Sequence, residues 1–146
     1  MHRTVAPPSF RQEHADDLHR TPPNNACLER QDRMLIATCH CNSVRIEVDS
    51  PPTMLNQCHC SICRRYGTLW AYYGRDQVRV LSDAHATQFY CWGDRDLEFH
   101  RCRSCGCVTH WTDTDDSMRR MAVNARMLEP EAIADVPIRQ SSGPSS

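Results

Sequence analysis

The cysteines constrain this chain more than any other feature. Most of them fall in three short clusters: Cys39-His40-Cys41, Cys58-His59-Cys60-Ser61-Ile62-Cys63 and Cys102-Arg103-Ser104-Cys105. A total of 10 cysteines in 146 residues leaves two readings, a disulfide scaffold or metal sites. The segment Met1–Asp32 is dominated by Pro, Arg, Asp, His and Asn and has no apolar run of signal-peptide length. No other stretch approaches a membrane span. The protein is therefore read as cytoplasmic, without a membrane association. In that compartment thiols stay reduced, and clustered cysteines bind metal.

Hydrophobic residues make up 40% and charged residues 24%, enough for a single modest core. The net charge of -1 and a pI near 6.7 argue against a dedicated nucleic-acid binder, which carries a basic excess. All 17 basic residues are arginine. Schiff-base chemistry and a P-loop lysine are thereby excluded.

Residues 1–33 read as a disordered leader, with Pro7, Pro8, Pro22 and Pro23 and no periodicity. Met34 is a plausible native start, and Cys27 in the leader reads as a lone exposed thiol. Residues 34–139 form the expected domain and 140–146 a flexible tail of Ser, Gly and Pro. Within the domain the pattern is mainly β. Strands are expected over Met34–Thr38, Val44–Val48, Met54–Gln57, Leu69–Tyr73, Val78–Leu81, Gln88–Trp92, Leu97–Arg101, Val108–Trp111 and Met121–Asn124. One or two helical turns are expected over Ser61–Tyr66, ended by Gly67. A short helix is expected within Leu128–Ala134, where Glu129-Pro130-Glu131 supplies the opening.

The clusters differ in what they can do. In an extended backbone Cys39 and Cys41 point to one side, with His40 directed away. Cys102-x-x-Cys105-Gly106 is a knuckle, whose glycine permits the tight turn that converges both sulfurs. Two such pairs make a closed four-cysteine tetrahedron, the structural type of zinc site, joining the two halves of the domain. Cys58, Cys60 and Cys63 offer three thiols, and three protein ligands with one open position is the catalytic pattern. Cys107 is the alternative fourth ligand, which would close that second site and make it inert. An open three-thiolate zinc is a weak activator of water, but it binds a further thiol as thiolate. Such a site suits capture of a small-molecule thiol and its presentation to an electrophile. Arg64, and with less support Arg65, would offset the negative centre or hold a carboxylate of that thiol.

The run Cys39-His40-Cys41-Asn42-Ser43-Val44-Arg45, then Cys58-His59-Cys60-Ser61-Ile62-Cys63-Arg64-Arg65, then Cys102-Arg103-Ser104-Cys105-Gly106 resembles the glutathione-dependent formaldehyde-activating enzyme family, which also includes centromere protein V. The resemblance spans about Met34 to Arg139. Cys105–Trp111 and Val123–Arg126 look like one bacterial branch of it. It implies several small coiled β-sheets stapled by zinc, related to methionine-R-sulfoxide reductase and the Rab-exchange zinc chaperone. It implies two Zn2+ per chain: a structural zinc on Cys39, Cys41, Cys102 and Cys105, and a catalytic zinc on Cys58, Cys60 and Cys63. It also implies a carbon–sulfur lyase activity that joins glutathione to formaldehyde. Cys107 and His110 depart from many members.

Three functions compete. The leading one is a zinc-dependent enzyme adding a small thiol, glutathione by resemblance, to formaldehyde or a related aldehyde. The alternative is a non-catalytic zinc-stapled binding or scaffold module. Methionine sulfoxide reduction is set aside, because no cysteine follows Cys107 to act as its nucleophile. His59 is expected to face away from the metal, and neither it nor His110 has support as a proton relay. Cys91 reads as a small buried hydrophobe. Trp70, Tyr72, Tyr73, Trp92 and Trp111 read as core or rim, with one or two lining a cleft. Asn124 and Arg126 read as a strand-end hydrogen-bonding group and a surface charge.

Overall fold

The computed structural model describes residues 33–143, so nearly all of the expected leader, Cys27 and the last three residues lie outside the description. The fold is mainly β, as the β-branched runs predict. Its strands are β1 (Leu35–Thr38), β2 (Arg45–Val48), β3 (Leu55–Cys58), β4 (Trp70–Gly74), β5 (Val78–Leu81), β6 (Thr87–Cys91), β7 (Leu97–Cys102), β8 (Val108–Asp113), β9 (Arg120–Asn124) and β10 (Ile138–Ser141). Two short helices, α1 (Ser61–Tyr66) and α2 (Pro130–Ile133), interrupt them. The strands gather into a three-stranded sheet, β1-β2-β5, and a seven-stranded sheet, β10-β3-β4-β9-β8-β7-β6.

Side chains alternate across a strand, so the large sheet has two different faces. Leu55, Ala71, Tyr73, Met121 and Val123 point to one side and bury in one cluster with Ala37, Ile46, Val48 and Val78 of the small sheet. Trp70, Phe99, Trp111 and Ala122 point to the other side and pack with Cys58, Cys60, Ile62 and Cys63. The first face is a hydrophobic core. The second carries the three cysteines Cys58, Cys60 and Cys63.

Two findings depart from the sequence reading. Gln140 and Ser141, expected in a loose tail, belong to β10, which pairs in parallel with β3 from Ile138↔Leu55 to Ser141↔Cys58. The segment is exposed and polar, so no apolar pattern announces it, and the backbone ladder holds it. Cys39–Cys41 is a turn rather than an extended strand. The Asn42 N–H bonds the Cys39 carbonyl at 2.9 Å, and Asn42 takes the left-handed conformation, φ 61°, which asparagine tolerates well.

The face shared with the small sheet also holds a stacked histidine pair. His100 and His110 are register partners on β7 and β8, with ring centroids 4.3 Å apart and planes within 4°. Burial, then His100 and Arg75, push the His110 imidazole from 6.5 down to about 3. The unfolded chain takes up this proton near pH 6.5 and the native chain only near pH 3. Native stability therefore falls as pH drops through that window, by up to about 1.4 kcal/mol per pH unit. His110→Gln is expected to flatten this slope in urea unfolding between pH 7 and pH 5. Proton competition at the cysteine clusters is common to both proteins and cancels. An unchanged slope would show that His110 takes up its proton as readily in the folded chain as in the unfolded one.

Candidate metal centres and cleft

The first cluster forms where two turns meet. One is the Cys39–Asn42 turn. The other follows β7, where a register shift between His100 and Arg101 is followed by the Cys102 knuckle. There the Gly106 N–H bonds the Cys102 carbonyl at 3.0 Å, with Gly106 at φ 74°, a value suited to glycine. Cys41 Sγ lies 3.6 Å from both Cys39 Sγ and Cys102 Sγ. The sulfurs of Cys39, Cys41, Cys102 and Cys105 all fall within 4.8 Å of one another. Cys39 and Cys102 are buried, Cys105 is half-buried and Cys41 is exposed. The Val44 N–H donates to Cys39 Sγ at 3.3 Å, a backbone bond that suits a thiolate. Burial pushes the Cys39 thiol up to about 12, whereas the Ser43 hydroxyl beside Cys41 draws its thiol down to about 6.

The second cluster sits at the junction of β3 and α1. Cys58 ends β3 and Cys60 is the residue before the helix. Cys63 is in the helix's first turn, and its carbonyl accepts from Gly67, the left-handed cap at φ 63°. Gly67 ends the helix as expected. The three sulfurs lie within 4.8 Å of one another and all three cysteines are buried. The Trp70 indole N–H donates to Cys63 Sγ at 3.2 Å. Burial pushes the Cys63 thiol up to about 12, against the pull of that indole. Metal capture by either cluster must therefore release protons, and its affinity rises with pH.

Cys107 joins neither group. It packs against the core beside Cys105, its thiol facing its neighbour's carbonyl, Val108 O, at 3.7 Å. All nine described cysteines are free thiols. Cys91, expected to be buried, is only partly so.

Over the second cluster opens a cleft of about 470 Å³. Trp70, Tyr72, Trp92, Phe99 and Trp111 form its aromatic walls, so four of the five aromatics singled out in the sequence face it. Tyr73 does not; its hydroxyl donates to the Ser50 carbonyl on the core side at 3.2 Å. The charged lining is Arg120, Arg139, Asp94 and Asp96. None of these four forms a side-chain ion pair among the described residues. Arg64 does not line the cleft and is exposed on α1. Arg65 donates to the Ser61 carbonyl at 2.6 Å on the helix surface. His59 also points away, its ring bonded to the Gln140 side chain, and His110 is on the opposite face. Asn124 accepts from the Leu69 and Arg126 amides, both at 3.3 Å, and donates to the Val108 carbonyl at 2.8 Å. Its role is structural. Arg126 donates to the Gly67 carbonyl at 2.7 Å and braces the helix end.

The profile of the family described as "Glutathione-dependent formaldehyde-activating enzyme" matches residues 34–138. The chain belongs to this family. A crystal structure of a Rhodobacter sphaeroides protein, determined by structural genomics, is similar at 31% identity and a TM-score of 0.60. That match covers 72% of this chain and 100% of the other. No curated protein matches the chain. Among the described residues, no helix is long and apolar enough to cross a membrane. The family match ends where β10 begins, so the strand that supplies Arg139 and Ser141 to the cleft lies almost wholly beyond it.

Sequence reasoning missed the part of the cleft that follows β10. The chain continues past Ser141 so closely that a Cβ on Gly143 would lie 2.7 Å from Cys60 Cβ and 2.9 Å from Cys58 Sγ. Gly143 also sits at φ 65°, where a side chain costs roughly 1–2 kcal/mol. Gly143→Ala is expected to weaken metal binding at the second cluster roughly tenfold, since about 1.4 kcal/mol is a factor of ten. The first cluster should be unaffected. Competition with a chromophoric chelator reads both affinities, and two unchanged affinities would show that this segment does not seat against the sulfurs.

Proposed function

We propose that the protein is a zinc-dependent carbon–sulfur lyase that adds a small thiol, glutathione in the first instance, to formaldehyde or a related aldehyde. The observation that carries this reading is the second cluster: three buried sulfurs, no fourth cysteine joining them among the described residues, and an open aromatic cleft above them. The donor sets fit zinc. Thiolates favour soft and borderline metals, and a zinc–sulfur bond of about 2.3 Å gives a tetrahedral sulfur–sulfur edge of about 3.8 Å. The observed 3.6 Å separations in the first cluster are close to that edge. In this reading Cys39, Cys41, Cys102 and Cys105 hold a structural zinc, and Cys58, Cys60 and Cys63 hold a catalytic one.

When bound at the second cluster, zinc supplies a Lewis acid that keeps a further thiol deprotonated near neutral pH. The protein supplies the rest. The Trp70 N–H spreads negative charge from Cys63. The aromatic walls limit water, which strengthens every polar contact within. Arg120 and Arg139 offer guanidinium groups for carboxylates of the thiol, the role expected above for Arg64, and Asp94 and Asp96 offer partners for its ammonium. A reduced, cytoplasmic setting accords with the free cysteines.

The test is direct. Protein carrying two zincs per chain should accelerate formation of the thiol–formaldehyde adduct above the uncatalysed rate, followed by exchange NMR. No acceleration with both zincs present would leave the scaffold reading standing.

A further inference from the structure

Tyr72 lies on β4, two residues from Trp70, and its ring meets Trp111 edge-on with centroids 6.0 Å apart. Its hydroxyl is one corner of a polar chain that crosses the floor of the cleft. The Arg139 Nε–H donates to Asn56 Oδ1 at 3.4 Å, and the Asn56 amide N–H donates to Tyr72 Oη at 2.8 Å. Asn56 is buried, 3% exposed, between β10 and β4.

The order of this chain fixes where one hydrogen points. A guanidinium can only donate, so the Asn56 oxygen must face Arg139 and its NH₂ must face Tyr72. The phenol oxygen is therefore the acceptor in the Asn56 bond, and its own hydrogen is left for another partner. No side-chain or backbone acceptor among the described residues takes it, and Tyr72 lines the cleft that the three cysteines share. Had Arg139 been absent, the amide could turn over and bind that hydrogen itself.

We propose that the Tyr72 hydroxyl, oriented by Asn56 and Arg139, is the proton donor to the aldehyde oxygen; this rests on the thiol–aldehyde reading above. A sulfur lone pair forms the C–S bond at the carbonyl carbon, and the C=O π pair moves onto oxygen. That oxygen takes the Tyr72 proton. The resulting phenolate takes up the proton the thiol lost, relayed through water, and the phenol is restored. The sum is thiol plus aldehyde giving the hydroxyalkyl thioether, with no change of oxidation state. Burial raises the Tyr72 phenol above its ordinary range, against the pull of the Asn56 N–H, so it rests protonated. Tyr72 is a catalytic residue in this scheme; Asn56 and Arg139 are positioning residues.

Tyr72→Phe keeps the ring on Trp111 and removes only the hydroxyl. It should lower kcat on the order of 10²-fold, with both metals retained and KM for the thiol within about twofold. A second readout needs no turnover. In protein loaded with cobalt(II), whose visible bands report thiol ligation, wild type should bind 2-mercaptoethanol several-fold more tightly than ethanethiol, the yield of one hydrogen bond. Tyr72→Phe should bind the two equally. Arg139→Met, which frees the Asn56 amide to turn, should move both readouts part-way toward Tyr72→Phe when uncharged thiols are used. Wild-type kcat and wild-type discrimination in Tyr72→Phe would overturn the proposal, as would equal binding of the two thiols by wild type. If wild type shows no aldehyde addition, the lyase reading fails, while the cobalt comparison still decides whether Tyr72 donates into the cleft.

Discussion

Cys102→Ser is expected to yield a chain that does not reach the native fold. Cys102 is fully buried and joins the end of β7 to the Cys39–Asn42 turn, which follows β1 of the other sheet. The two sheets share one core, but the residues fixing their relative position at this end are the four cysteines. Metal binding at four-cysteine sites contributes on the order of 10–16 kcal/mol in small peptides. A domain of this size is stable by about 5–15 kcal/mol in total. The loss of one sulfur, and with it of the metal that joins the two turns, therefore threatens the whole balance. Circular dichroism and amide NMR dispersion should show collapse of β structure in Cys102→Ser, and a strong chelator should do the same to wild type. A cooperative melt within a few degrees of wild type, with one metal fewer, would show that the hydrophobic core holds the sheets together unaided.

Much of this was legible in the sequence because it rests on local spacing. A C-x-x-C-G knuckle and a C-x-C pair announce their own convergence. The β-branched runs from Leu35 to Asn124 gave nine strands near their observed places. What stayed hidden depends on distant partners. Ile138–Ser141 is exposed and polar, and only its ladder to β3 makes it a strand. Arg139, Arg120, Asp94 and Asp96 come from three separated stretches of chain and meet only in the folded cleft, so Arg64, adjacent in sequence to Cys63, drew attention that its position on the outside of α1 does not support. One signal was available and unused. Asn42 right after Cys41 favours a left-handed turn, which argues against an extended Cys39–Cys41. The placing of Cys107 is not set by spacing, since two residues past Cys105 the chain can turn to either face.

Cys60→Ser should abolish catalysis and spare the fold. Cys60 contributes to the face of the large sheet that carries the cleft, while the core between the sheets lies on the other side. Its loss leaves two thiols, too few to hold zinc tightly in competition with water and buffer. Thiol–formaldehyde addition should fall at least 10²-fold, to the uncatalysed rate, with metal content reduced from two per chain to one. The variant should melt within a few degrees of wild type. Activity persisting with a single metal would move the reaction away from this cluster altogether. The two serine variants thus separate the clusters by outcome, one through folding and the other through chemistry.

The parallel pairing of β10 with β3 has a consequence for how the protein is made. Roughly eighty residues separate Cys63 from Gly143, the glycine that seats against Cys58 and Cys60. At synthesis rates of about 5–20 residues per second, a nascent chain presents its three thiols for about 4–16 s before that wall exists. During this interval the cluster is accessible to oxidants and to whichever thiophilic ion arrives first. Any selection by the finished cleft acts only afterwards, by exchange of whatever the open cluster has taken up.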